Sequence, residues 1–304
     1  MGRPSRSQAS GIYWENILFL ALTHLAGLAG IAYACAVHFS AWTVGLAASW
    51  LTLCMLSTTG GYHRLFAHRS YRAAPALRLF YLLFGAASFQ GSALRWASDH
   101  RVHHALTDEE EDPHNIRKGF WWAHIGWLLY RSPPSTERSR DLLEDPLVRF
   151  QDRFYLVLGF VFGLILPAAI ALAWGDPVGG FLLAGFFRLL IQYHATFAIN
   201  SVAHTIGRRP YSASISARDS FVTAILTLGE GYHNYHHRFP GDYRNGILAR
   251  HFDPTKWLVW TLSKVGLTWN LRRAPPEAVR RAREGAGVSP SRQPIVGSTE
   301  MSDE

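Results

Sequence analysis

Cysteine is nearly absent from the 304 residues: there are two, Cys35 and Cys54, both inside apolar runs. Two thiols supply neither a disulfide framework nor the ligand set of an iron–sulfur cluster, so both read as small buried hydrophobes. Lysine is scarce as well, three against 27 arginines, in a chain of formal net charge +8. The arginines lie in loops and tail. No basic patch is interleaved with a nucleic-acid motif, which argues against nucleic acid as a partner and leaves an anionic membrane surface as the natural one. No His-Glu-x-x-His pattern occurs, so a zinc-protease site is excluded. Carboxylates are few around the histidine motifs, and no internal repeat of fixed period is present. The first apolar block is too long for a signal h-region and no clear cleavage site follows it, so it reads as a spanning helix.

What is abundant is apolar surface. Hydrophobic residues make up 48% of the chain, with 11 Trp and 18 Phe, yet the mean hydropathy is near zero. Apolar blocks therefore alternate with very polar ones, the pattern of an integral membrane protein. At about 20 residues per crossing, four spans are expected at about 17–37, 42–60, 154–174 and 178–199. Pro167 is expected to kink the third. The stretches Leu79–Phe89 and Phe120–Tyr130 are too short to cross and read as buried or interfacial helices. Residues 1–16 and 271–304 are polar and without periodicity, and read as disordered. Both short turns between paired spans lack Lys and Arg, so the positive-inside rule places both termini and the long polar segments in the cytoplasm. Arg188 interrupts the fourth span half way along. A charge there faces the bundle interior, and hydrogen bonding to neighbouring backbone is the expected role, with Gln192 and His194 near its turn.

Nine of the fifteen histidines fall in four short clusters. His100-x-x-His103-His104 is answered by His233-x-x-His236-His237, the pair His63-x4-His68 precedes them, and His204 stands alone between. On a helix, steps of three and four residues lie on one face, so one turn can offer three nitrogens to a metal. His63 and His68 diverge by roughly 140° on an α-helix, which suits two neighbouring ions or a helix end better than a single ion. Nine imidazoles exceed what one ion holds, so convergence implies a two-metal site. Imidazole serves Fe, Zn, Cu and Ni; Glu230-x-x-His233 and Glu111-x-x-His114 formally match a di-iron motif, but Pro113 breaks a helix across the second. A histidine-rich, carboxylate-poor di-iron site is the best fit. His114 and His124 read as ordinary, and the acidic run Asp108–Asp112 as a solvated loop. Asp99, Glu230 and Asn234 are expected to fix imidazole tautomers.

Four segments, His63-Arg-Leu-Phe-Ala-His68, Asp99-His-Arg-Val-His-His104, Asn200-Ser-Val-Ala-His204 and Glu230-Gly-Tyr-His-Asn-Tyr-His-His237, resemble the signatures of membrane fatty acyl desaturases, the stearoyl-CoA (delta-9) type above all. Asp112-Pro-His-Asn115 and Gly126-Trp-Leu-Leu129 resemble that type too. The likeness covers roughly residues 15–270 and implies an all-α fold. Four transmembrane helices (spans as above) would carry a cytosolic helical cap, 61–153 and 200–270, holding a di-iron site, within a desaturase domain at 17–270. It implies His63, His68, His100, His103, His104, His204, His233, His236 and His237 as ligands, with Asn200 holding the second iron through a water, and no catalytic side chain beyond the metal centre. The sequence departs from the animal acyl-CoA enzymes at Gly91, Ser98 and Ser132, positions that touch the CoA headgroup in the family, while Gln90, Asp99 and Arg131 match. An acyl-lipid or acyl-carrier-protein substrate therefore stands beside acyl-CoA.

The activity so implied is insertion of a cis double bond into a saturated acyl chain, using O2 and two electrons at two Fe ions. The acyl chain would lie in a narrow apolar tunnel among the spans, with Ala47 and Leu51 setting chain length. No His-Pro-Gly-Gly haem signature is present, so electrons are expected from a separate carrier, a ferredoxin, rubredoxin or cytochrome b5-type protein, docking near the cap arginines. Two rivals remain: a hydroxylase or ketolase of the same di-iron class, and a metal-binding membrane transporter or sensor. A transporter would place its ligands near the bilayer midplane, whereas here they lie beyond the span ends.

Overall fold

A computed structural model describes residues 11–130 and 139–287, which are mostly helical. Among them, four helices are long and apolar enough to cross a membrane: Trp14–Ala36, Ala41–Ala67, Tyr155–Trp174 and Pro177–His204. The second and fourth run past their expected ends at 60 and 199, and these extensions carry histidines into the cap. Leu18, Leu22, Leu25 and Leu28 on the first span, and Leu156, Phe160, Ile165 and Leu172 on the third, remain exposed, as side chains that face lipid must. Exposed Trp14 and Trp42 mark opposite ends of the bundle, where aromatic rings suit the membrane interface. On the side of the short turns, the Asp176 carboxylate caps the fourth span at Gly179 N and accepts from Tyr33 and Thr43. Both turns are thereby tied together.

Pro167 lies in the third span, as expected, and a π-turn over Val161–Ile165 precedes it. Proline has no N–H, so the carbonyl four residues earlier, that of Gly163, loses its helical partner. Arg188 Nη2 donates to it at 3.0 Å and to Ala87 O at 2.7 Å. Arg188 Nε donates to Ala184 O, and Nη1 lies within bonding reach of Gln192 Oε1 and Cys54 Sγ. The guanidinium is buried among neutral acceptors and satisfies backbone, the role read from the sequence. In Arg188→Met, the Gly163 and Ala87 carbonyls lose their donors, at about 1–3 kcal/mol each. The thermal midpoint of the detergent-solubilised protein should fall by several degrees; an unchanged midpoint would contradict this.

The cap is built on the extension of the second span. There the helix passes from α to π winding over Ser57–Ala67 and is wholly buried. Helix Pro75–Ala86 packs against it at glycine contacts. A Cβ on Gly61 would stand 2.5 Å from Tyr81 Cβ, and one on Gly85 2.3 Å from Tyr62 Cε1, so each glycine admits the other helix's tyrosine. A two-stranded antiparallel sheet, Arg72–Ala73 with Thr268–Trp269, joins the start of the cap to its end. The stretch Phe120–Tyr130 forms two short pieces, helix Phe120–His124 and a 3-10 turn Gly126–Leu129.

Two expectations of disorder are corrected. Residues 11–16 are held by partners in the cap: Tyr13 N donates to Leu129 O, and the Asn16 side-chain Nδ2 donates to Leu128 O. Within 271–304, helix Pro276–Gly285 forms and buries Val279 and Ala282 against Tyr211 and Tyr235. Pro276 at its start, the spacing of Val279 and Ala282, and the pairs of Arg280 with Glu277 and Glu284 are the sequence signals that the arginine-rich composition obscured.

Candidate metal centre

The nine clustered histidines meet, in two adjacent groups. Nitrogens of His63, His68, His100, His104 and His236 lie within 4.8 Å of one another, and so do those of His103, His204, His233 and His237. The stacked rings of His104 and His237, 4.2 Å apart, join the two.

The partition differs from the expectation of three nitrogens per helical turn. In His100-x-x-His103-His104, positions 100 and 104, one turn apart, serve the first group, and His103 points to the second. In His233-x-x-His236-His237 the split is reversed. His63 and His68 were expected to diverge, yet both belong to the first group. The π winding is the reason: each residue bonds its fifth neighbour, and His68 N donates to His63 O at 3.0 Å, so residues five apart stand one above the other.

The packing of these rings fits a cation. In the first group Nε2 meets Nε2 at 2.9 Å for His63–His236, 2.9 Å for His68–His100 and 3.0 Å for His236–His104. The second has His204–His233 at 3.1 Å and His233–His237 at 3.0 Å, and His103 Nε2 is buried without a partner. Several Nδ1 atoms are engaged elsewhere: His63 with Glu230 and His103 with Asp112, both at 2.8 Å, His204 with Ser216 and His237 with Thr107. A ring that donates from Nδ1 to a carboxylate presents a lone pair at Nε2. Lone pairs crowded at this distance repel unless a cation lies among them, and a set of neutral imidazoles suits a borderline transition metal.

Electrostatics favour the neutral form of six of the rings. Burial, and then the neighbouring imidazoles, hold His68, His100, His104, His233, His236 and His237 well below their ordinary value of 6.5. Burial pushes Glu230 up, but His63 and the Arg64 guanidinium outweigh it and bring it down to about 2. Beside the centre is a cavity lined by His63, His100, His103, His233 and Asn200, and by Met55, Thr58 and Gln192 on the second and fourth spans.

A fatty acid desaturase profile matches residues 40–247. The chain belongs to the fatty acid desaturase family. It is 46% identical over 230 residues to a probable acyl-CoA desaturase of Schizosaccharomyces pombe, covering 74% of this chain and 48% of that protein. It is 36% identical over 297 residues to stearoyl-CoA desaturase 5 of Bos taurus, covering 93% and 87%, and 35% identical over 287 residues to stearoyl-CoA desaturase of Homo sapiens, covering 90% and 79%. The match spans about half the length of the Schizosaccharomyces pombe protein and of acyl-CoA desaturase 1 of Saccharomyces cerevisiae. The family and the four apolar helices make this a membrane protein.

Within this desaturase-family centre, three outer partners were not foreseen. Asp112, read as part of a solvated loop, is buried and bonds His103. Although burial raises it, His103 and His114 bring it below the ordinary carboxylate value. Asp108 accepts from Ser216, which contacts His204. His114, read as ordinary, stands in a further group with His103 and Asp112. The residues between Asp108 and Asp112 are exposed, and this masked the buried pair. Glu230 does hold His63, as expected, and Asn245 and Arg64 brace it. Asn234 instead braces the loop backbone at Tyr211, Ser212 and Ala217. Asp99 pairs with Arg95 at 3.9 Å and is not on the cavity wall. Gln90 reaches the wall only through Thr196, at 3.0 Å. Ala47 and Leu51 do not line the cavity, because the wall ends one turn nearer the histidines, at Met55. Arg131 lies outside the described residues. Asp112→Asn should loosen His103 and weaken metal retention about 10–100-fold, measured as metal left after dialysis against a chelator; full retention would contradict the bracing role.

Proposed function

We propose that this chain is a membrane fatty acyl desaturase acting on a saturated acyl chain, an acyl-CoA in the first instance, to form a cis double bond at the delta-9 position. The observation that carries this is the joining of two imidazole groups to an apolar-walled cavity that runs down between two membrane spans. The names of relatives that span most of this chain support the substrate class. Two irons, one in each group, are the proposed metals, held by the five and the four histidines, with Asn200 beside the smaller set. When bound, they supply dioxygen activation strong enough to oxidise an unactivated methylene pair.

The chain's own residues do the rest. The acyl tail lies between the second and fourth spans, where Met55, Ala195 and Ile199 exclude water and hold one C–C pair against the imidazole groups. Misplacement of about 1 Å can cost about a hundredfold in rate. Glu230 and Asp112 keep the Nδ1 protons on His63 and His103, leaving Nε2 free to ligate. In balance, two hydrogens leave adjacent carbons, two electrons and two protons arrive from outside, and O2 leaves as two waters. The electrons come from a separate carrier, of ferredoxin, rubredoxin or cytochrome b5 type, docking on the arginine-rich cap. Lys- and Arg-free turns at Val37–Ser40 and Gly175–Asp176 support a cytoplasmic cap and termini. Cells expressing the chain and fed a traced saturated fatty acid should accumulate the monounsaturated product; a hydroxylated product, or none, would overturn the reading.

A further inference from the structure

Three histidines outside the centre form a chain of their own. His24 lies on the first span and His194 on the fourth, and His124 ends the short helix Phe120–His124. The Nε2 atoms of His24 and His194 stand 3.2 Å apart, with the rings at 90°. His194 Nδ1 stands 3.1 Å from His124 Nε2, and His124 Nδ1 stands 2.9 Å from Ser201 Oγ. His194 is exposed and His24 half-buried, so an ion can reach the pair. We propose that His24 and His194 form a further binding site, for one divalent transition-metal ion of the zinc type, which clips the first span to the fourth. This does not rest on the desaturase reading.

Counting protons along the chain leads to the ion. Both ends are fixed. A carbonyl only accepts, so His24 Nδ1, 2.7 Å from Leu20 O, carries the proton and its Nε2 presents a lone pair. At the other end Ser201 Oγ donates to Phe197 O at 2.9 Å. Its single proton is thereby committed, and it accepts from His124 Nδ1. His124 Nε2 then presents a lone pair, and His194 Nδ1 supplies the proton between those two rings. The remaining lone pair of His194, on Nε2, faces that of His24. At 3.2 Å they repel unless a cation lies against both, as in the histidine groups of the centre. The spacing suits one: two nitrogens 2.0–2.1 Å from a tetrahedral zinc stand about 3.3 Å apart. His124 is then the outer partner that orients a ligand. Ionisable side chains inside apolar spans mark functional sites by default. If Ser201 instead donates to His124, the protons along the chain shift, the pair becomes an ordinary N–H···N bond and Phe197 O loses this donor.

The test adds Zn2+ to the purified protein, already saturated with iron, and reads the zinc retained per chain and the melting midpoint. Wild type should hold one zinc beyond the metals of the centre and melt at a higher temperature in its presence. His24→Ala and His194→Ala should each lose that ion and the rise in midpoint. His124→Ala should keep the ion but hold it about 10–100-fold more weakly. His236→Ala, altered in the centre, should still take up the ion at the pair, which separates the two locations. His38→Ala removes an exposed histidine outside both and should match wild type. Absence of the added ion in wild type would leave the pair as an ordinary N–H···N bond and overturn the proposal. Uptake at full affinity in both His24→Ala and His194→Ala would overturn it as well. Should an alanine variant fold poorly, His24→Gln and His194→Gln fill much of the same space without an imidazole, and the same loss is expected.

Discussion

Replacing His236 with alanine is expected to lower unsaturated product by more than ~100-fold, beyond the range seen when only an outer partner of a metal ligand is lost. Its Nε2 stands 2.9 Å from that of His63 and 3.0 Å from that of His104, and its ring also touches that of His68. Three separate segments of chain therefore meet on one nitrogen. Removing it opens the first group, while His103, His204, His233 and His237 still stand together. The purified variant should accordingly keep its fold and one metal of the two. Mass spectrometry of cell lipids and metal analysis of the protein check this together. An unaltered lipid profile, or loss of both metals with the fold intact, would contradict it.

Acid should unfold the protein at unusually mild pH. His68, His100, His104, His233, His236 and His237 are held well below 6.5 in the folded protein, first by burial and then by one another. In the unfolded chain each titrates near 6.5. Below that pH the unfolded state binds more protons than the folded one, so stability falls with pH, by up to ~1.4 kcal/mol per pH unit for each histidine. Six such residues make the fall steep against a total stability of about 5–15 kcal/mol. Above 7 these groups are neutral in both states and contribute no slope. Circular dichroism and bound metal should therefore be lost together in one cooperative step between about pH 6 and pH 5. Loss of metal with a midpoint near 6.5 from a chain that stays folded would mean that the rings are open to water.

The four spans and the nine histidines were legible because each is a local pattern: a run of apolar residues, or imidazoles three to five apart. Arg188 was legible too, since a charge inside a span has few places to go. How the imidazoles divide was not. Assigning His68 to the group of His63 requires the π winding of Ser57–Ala67, and no side chain in that stretch announces an i to i+5 ladder. Sending His103 and His104 to different groups depends on how that helix crosses the one carrying His233–His237, a long-range fact. Asp112 was missed because its acidic neighbours are solvated and only it and Asp108 turn inward. That the cavity wall includes Met55 but not Leu51 depends on how the second and fourth spans pack, also a long-range fact.

The central claim is that two imidazole-rich sites, and not one, share the mouth of a membrane cavity. Iron stoichiometry with X-ray absorption on the purified protein tests it most directly. Two irons per chain, each ligated mainly by nitrogen at about 2.0–2.2 Å, are the predicted result. A single ion, or two bridged by carboxylates in an oxygen-rich shell, would contradict it.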